Sequence, residues 1–122
     1  MESKRRILLV EDSEEVRVLL ERHLVRAGYE VLSAEDAVEA GKLVLERRPD
    51  LIIADIHLPH MDGDEFVAAL RADPQLGDTP VIFLSVDEHL QAHARRLGAV
   101  AYFDKSVSAE RLLEVVDFYA RA

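Results

Sequence analysis

The sequence predicts an α/β domain, a five-stranded parallel sheet with helices on both faces. Three observations carry this. Ile7–Val10 and Leu51–Ala54 are apolar without alternation, as strands buried on both faces are. Each apolar run gives way to a segment with apolar residues at helical spacing, and strand and helix alternate five times along the chain. Turn and cap residues punctuate the joints, among them Gly28, Pro49, Gly98 and Asp73-Pro74. A single pass of this kind implies right-handed crossovers. Periodicity alone leaves the strand order open.

The elements follow in order. Ile7–Val10 ends on Glu11-Asp12, and a helix starts from Ser13 with Glu14 and Glu15 in its first turn, where the helix dipole favours acids. Val16, Leu19, Leu20 and Leu24 form its apolar stripe, and Gly28 is placed to close it. Tyr29–Ala34 alternates only partly, as an edge strand does. The second helix runs from about Asp36 to Arg48 with Ala37, Gly41 and Val44 on one face, and Pro49 stops it.

Leu51–Ala54 is the third strand and stops on Asp55. A short helix over Asp64–Ala72 turns Phe66, Ala69 and Leu70 inward. Pro80–Leu84 is the fourth strand and ends on Ser85; Asp87–Leu97 is the fourth helix. Val100–Phe103 is the fifth strand, followed by Asp104-Lys105. Ser108 caps the last helix, Val107 staples onto Leu112, and Leu112, Val115, Val116 and Tyr119 are its buried stripe.

The 122 residues (1–122) are read as one domain, 49% hydrophobic and 32% charged, as a soluble globular chain is. No stretch approaches the roughly 18 apolar residues of a membrane span. The basic start before Ile7 is followed by only four apolar residues and then acids, so it does not read as a secretory leader. A cytoplasmic location without membrane contact is expected. The absence of Cys excludes disulfides and thiol chemistry, and the net charge of −9 argues against direct nucleic-acid binding.

In a parallel sheet the carboxyl ends of all strands lie on one rim, where open α/β sheets place their chemistry. Glu11-Asp12, Asp55, Ser85 and Lys105 all fall there. Two carboxylates 4 Å apart repel by about 4 kcal/mol at an effective dielectric of 20. A hard divalent ion relieves this, and Mg²⁺ prefers one or two carboxylates with waters and phosphate oxygens. Three carboxylates, Lys105 and one Mg²⁺ sum to zero charge. Beside such an ion Asp55 can act as a nucleophile towards a phosphoryl group, with Lys105 neutralising a phosphoryl oxygen and Ser85 bonding to the product.

These residues at these strand ends resemble the receiver domain of bacterial two-component response regulators. Leu58-Pro59-His60-Met61-Asp62-Gly63 matches the loop after the phosphorylated Asp, and Gly98-Ala99 with Tyr102-Phe103-Asp104-Lys105 matches the last strand. The resemblance covers essentially the whole chain. It implies a flavodoxin-like (βα)5 fold with strand order 2-1-3-4-5. It implies Mg²⁺, or Mn²⁺ in its place, held by Asp12 and Asp55, by Glu11 largely through water, and by the backbone carbonyl of His57.

A sensor histidine kinase or phosphotransfer protein would supply the phosphoryl group from a phosphohistidine. Ser85 and Tyr102 would be the switch pair, and helix 4, strand 5 and helix 5 the surface read by a downstream effector domain or protein. Such a domain is no enzyme in the conventional sense, although it catalyses its own phosphotransfer and autodephosphorylation at Asp55.

The chain departs from the family at several points. Ser106 replaces the usual Pro after the active-site Lys, whose bond is cis in the family. β-Branched Val86 replaces Ala or Gly after the switch hydroxyl and is expected to crowd the phosphate's approach. His57, Val86, Asp87 and Ser106 are thus the candidate modulators of phosphorylation rate and lifetime. Val100-Ala101 stands where a dimerising DNA-binding subfamily carries an acidic pair, so that form of phosphorylation-dependent homodimer is disfavoured and another form stays open. His89 and His93 have metal-pair spacing but no third ligand or neighbouring Glu, and they read as solvated surface.

Three other functions compete with this reading. A Mg²⁺-dependent phosphatase needs a second Asp where His57 stands. A flavin domain needs a phosphate cradle where Glu11-Asp12 would repel the phosphate. A degenerate receiver, acting as a dimerisation or interaction scaffold without phosphorylation, is the principal alternative.

Overall fold

A computed structural model describes residues 4–120. Its strands are β1 (Arg6–Val10), β2 (Glu30–Ala34), β3 (Leu51–Ala54), β4 (Val81–Ser85) and β5 (Ala101–Asp104). Its helices are α1 (Glu14–Arg26), α2 (Ala37–Glu46), α3 (Gly63–Ala72), α4 (Leu90–Leu97) and α5 (Ala109–Ala120). All strand pairs are parallel, in the order β2-β1-β3-β4-β5.

The unbroken apolar strands make two cores. Leu8, Val10, Ile52, Ala54, Val81 and Phe83 face α2, α3 and α4, while Ile7, Leu9, Leu51, Ile53, Ile82 and Leu84 face α1 and α5. Period-two alternation thus splits each central strand between two layers, which is why no polar residue interrupts it. β2, less buried than the central strands, is an edge.

Local chemistry sets the helix ends. Ser13, Asp36 and Ser108 accept the N–H groups of Val16, Glu39 and Arg111 as N-caps. Gly28 and Gly98 follow α1 and α4 with φ of 99° and 65°, a conformation glycine adopts without Cβ strain. Val107 packs into the same layer as Leu112.

Three side chains sit differently from the sequence expectation. Leu19 is 54% exposed, because α1 rotates Leu24 and Leu20 inward instead. In α3, Val67 is buried beside Phe66 and Leu70, and Ala69 faces out. Helix α4 begins at Leu90 and not at Asp87, because the Asp87 carboxylate takes the His89 N–H at 2.6 Å and holds residues 87–89 in a turn. Among the described residues no helix is long and apolar enough to cross a membrane.

Candidate functional site

β1 and β3 are neighbours, yet the chain reaches β3 from β2 on the far side of β1. This reversal of winding opens a crevice between the ends of β1 and β3. Glu11 and Asp12 leave β1 there and Asp55 leaves β3. Asp55 N–H donates to Val10 O at 3.1 Å and Glu11 N–H to Ala34 O at 3.0 Å, so the ladder still holds both backbones as their side chains reach the rim. From α1, Arg17 donates to Glu11 O at 2.9 Å and fixes the loop from behind.

Asp55 is buried, and its two oxygens have different partners. Oδ1 accepts the Ser85 hydroxyl at 2.7 Å and the His57 N–H at 3.0 Å. Oδ2 lies 2.6 Å from Lys105 Nζ, which also donates to Glu11 Oε1 at 2.5 Å. Burial pushes the Asp55 carboxyl up, but the bonds from Lys105, Ser85 and His57 outweigh it and hold the acid below its ordinary range. Burial likewise pushes Lys105 down, and the two carboxylates more than reverse that.

Glu11 is the unsatisfied member. Burial raises its carboxyl to about 7, against the pull of Lys105 and helped by repulsion from Asp55. Its Oε2 is a buried oxygen with no hydrogen-bond partner. Oxygens of Glu11, Asp12 and Asp55 lie within 4.8 Å of one another, with Asp12 on the exposed side. One ammonium among three carboxylates leaves two negative charges uncompensated, and the orphaned oxygen faces that deficit. A hard, oxygen-preferring divalent cation fits this donor set.

The loop after Asp55 depends on Gly63. Its N–H donates to Ile56 O at 2.7 Å, and a Cβ at this position would lie 1.9 Å from the carbonyl oxygen of Asp55 itself. The absent side chain lets α3 start directly against the Asp55 backbone. Just before it, His60 takes a φ of 70°, and Met61 N–H closes on Pro59 O at 2.8 Å in a three-residue turn.

Ser106 has a physical role in the loop after β5. Its N–H donates to Asp104 Oδ1 at 2.9 Å, a bond Pro cannot make, and it holds the Asp104 carboxyl below the usual carboxylate range. No peptide bond among the described residues is cis, and Lys105 still reaches both acids. Val86 is 66% exposed beside Ser85. Tyr102 is 42% exposed and lines a groove of about 600 Å³ with Arg95, Phe103, Arg111, Val115 and Phe118.

His93 does not fit the expectation of solvated surface. Its side chain is only 23% exposed, between Asp64 and Asp87, while His89 is exposed. Sequence reasoning also missed Arg17, whose partners are backbone carbonyls and leave no motif.

The sheet and its rim define a doubly wound α/β domain with an acid cluster, a lysine and a hydroxyl gathered at the switch point. The model of the response regulator receiver domain matches residues 7–117, and the chain belongs to that family. It is 36% identical over 119 residues to the polar-differentiation response regulator DivK of Brucella anthropi, covering 93% of this chain and 94% of that protein. The chemotaxis response regulator CheY4 of Vibrio cholerae superposes with a TM-score of 0.88 at 32% identity, covering 96% of this chain and 99% of that one. The phosphorylated cyanobacterial phytochrome response regulator RcpA superposes at 0.83 with 30% identity, covering 96% and 94%.

Proposed function

We propose that Asp55 accepts a phosphoryl group from a phosphohistidine of a sensor kinase or phosphotransfer protein. The supporting observation is its environment: a buried carboxylate kept ionised by Lys105, Ser85 and the His57 N–H, next to the unpartnered Glu11 Oε2. An ionised, pre-oriented carboxylate is a competent nucleophile. An Asp55 oxygen forms the O–P bond as the donor's N–P bond breaks, and the departing imidazole takes up a proton.

Glu11, Asp12, Asp55 and the His57 carbonyl would hold Mg²⁺ or Mn²⁺. When bound, that ion supplies positive charge for the phosphoryl oxygens. Lys105 is placed to exchange part of its contact with Glu11 for a phosphoryl oxygen, and the Ser85 hydroxyl to bond another. The added charge of about one unit would move the Ser85 hydroxyl from Asp55 Oδ1 towards the phosphoryl group, and Tyr102 would turn inward as it moves. The same pocket would hydrolyse its own acyl phosphate.

The groove bordered by α4, β5 and α5, with Phe118 exposed beside Tyr102, is the surface on which an effector domain, effector protein or second copy would read the change. A cytoplasmic location fits this relay.

Incubation with a small phosphodonor tests the reading, with intact mass measured with and without Mg²⁺. A gain of about 80 Da, the mass of one phosphoryl group, is expected in the wild type with Mg²⁺ and in neither Asp55→Ala nor chelated protein. No gain in the wild type would favour a phosphorylation-independent scaffold.

A further inference from the structure

Beside the acid pocket runs a chain of polar side chains that the phosphoryl chemistry does not use. Asp87, two residues beyond Ser85, has a side chain only 12% exposed. Its Oδ2 lies 2.8 Å from His57 Nε2, and its Oδ1 takes the His89 N–H and lies 3.8 Å from His93 Nε2. On the other edge of His93, Arg96 Nη2 lies 3.0 Å from Nδ1 and 3.2 Å from Asp64 Oδ2. The chain therefore joins the β3–α3 loop, the β4–α4 loop, α4 and the first turn of α3.

Donor and acceptor rules fix its polarity. A guanidinium only donates, so the 3.0 Å Arg96 contact assigns His93 Nδ1 as acceptor and the ring proton to Nε2, on the Asp87 side, with Asp64 Oδ2 farther off at 3.5 Å from Nδ1. A carboxylate only accepts, so His57 also presents Nε2–H to Asp87. Asp87 thus stands between two histidines on different elements, in close contact with His57 at 2.8 Å and in a longer electrostatic contact with His93 at 3.8 Å.

The His57–Asp87 contact also closes a loop of contacts that includes Asp55. His57 N–H and Ser85 Oγ both bind Asp55 Oδ1, and the His57 and Asp87 side chains link the two loops that carry them. Opening this link frees both loops that carry the partners of Oδ1.

We propose that His93 is a positioning residue for the acceptor loop: from α4 it steadies Asp87, which holds His57 beside Asp55. This rests on the reading of Asp55 as phosphoacceptor only for its kinetic consequence. It gives the acceptor a side-chain route to α4 that passes through neither Ser85 nor Tyr102. The coupling is reciprocal, so what engages α4 at His93 alters the loop, and what alters the loop is felt at α4.

The test uses amide hydrogen exchange of the unphosphorylated chain, which needs no phosphate. His93→Ala is expected to speed exchange at the amides of residues 57, 58, 60 and 61 by about two- to fivefold, the scale of a weak, partly buried polar contact. That effect should vanish in a His57→Ala background. Gln places an amide N–H near the position of Nε2, so His93→Gln should restore protection. Asn reaches only the Nδ1 side, so His93→Asn should behave like Ala; this pair serves if His93→Ala lowers overall stability.

In a second arm, the half-life of the Asp55 adduct should shorten by a similar factor in His93→Ala, because water reaches a looser rim. Unchanged exchange at these four amides, or an equal effect with and without His57, overturns the proposal. A wild type that takes up no phosphoryl group overturns the acceptor reading instead, and the exchange arm still decides this one.

Discussion

Two places in this molecule take charge out of water, and they do it differently. Arg71, on α3, donates to the carbonyl oxygens of Leu97 at 2.8 Å, Gly77 at 2.9 Å, Thr79 at 2.7 Å and Gly98 at 3.3 Å. Burial lowers its pKa, yet a guanidinium stays charged and its donors are matched by four acceptors. At the rim, one ammonium serves two of three clustered carboxylates, and Glu11 keeps a buried oxygen without a partner. The first arrangement is closed and ties α3, the loop before β4 and the end of α4 together. The second is open, with a deficit of positive charge that a ligand can fill. Electrostatic completeness separates the two charges here, since both are partly shielded from solvent.

Substitutions can break this contrast. The largest effect is expected from Gly63→Ala, which drives a methyl group into the Asp55 carbonyl. It should cost roughly 3 kcal/mol or more of stability and slow adduct formation at least tenfold, read by denaturant midpoint and intact mass. Arg71→Met comes next. It strands partly buried carbonyls and should cost roughly 2–3 kcal/mol, while the phosphorylation rate stays within a factor of about two. A large change in rate would mean that the clamp is not purely structural.

Glu11→Gln should act in the opposite sense on stability. Because burial raises the Glu11 carboxyl from 4.5 to about 7, the folded metal-free chain binds its proton more tightly than the unfolded one does. Stability therefore rises as pH falls from about 8 towards 4.5, by at most roughly 3 kcal/mol. Asp55 has the reverse sign. Its depressed pKa contributes stability above its unfolded value near 3.8 that is lost on further acidification. Glu11→Gln should flatten the rise between pH 8 and 5, stabilise the metal-free chain at pH 8 and weaken Mg²⁺ binding, all measurable by thermal melts with and without the ion. The smallest effect is expected from Val86→Ala, which should speed phosphorylation by a small donor by about two- to threefold, given that Val86 is exposed. Stopped-flow rates check it, and an unchanged rate would remove the steric role assigned to Val86.

The fold was legible because both its layers are written into single strands: Leu51-Ile52-Ile53-Ala54 has no polar residue since each face meets a core. Caps at Ser13, Asp36 and Ser108 were legible because capping is local. Strand order was not, since 2-1-3-4-5 depends on which crossover goes to which side; it came from the family resemblance. The acids, Ser85 and Lys105 could be placed because a parallel sheet sends every strand end to one rim. Arg71 and His93 could not be. Their partners lie on other elements, and an Arg or a His at helical spacing looks the same in a sequence whether it meets water or a carbonyl. The inward face of α3 was misassigned for a related reason: Val67 and Ala69 are both apolar, and only the packing of α3 on the sheet decides between them.

The separation of the two cores by the sheet has a further consequence. Side chains that face α1 and α5 share almost nothing with those that face α2, α3 and α4, so each layer can drift in sequence without repacking the other. Lys105 leads into α5 on one side and Ser85 into α4 on the other, and both end on the same carboxylate. Under the proposed function, a single covalent event at Asp55 would therefore reach both layers. Partner recognition can be retuned on one half while the other keeps its response.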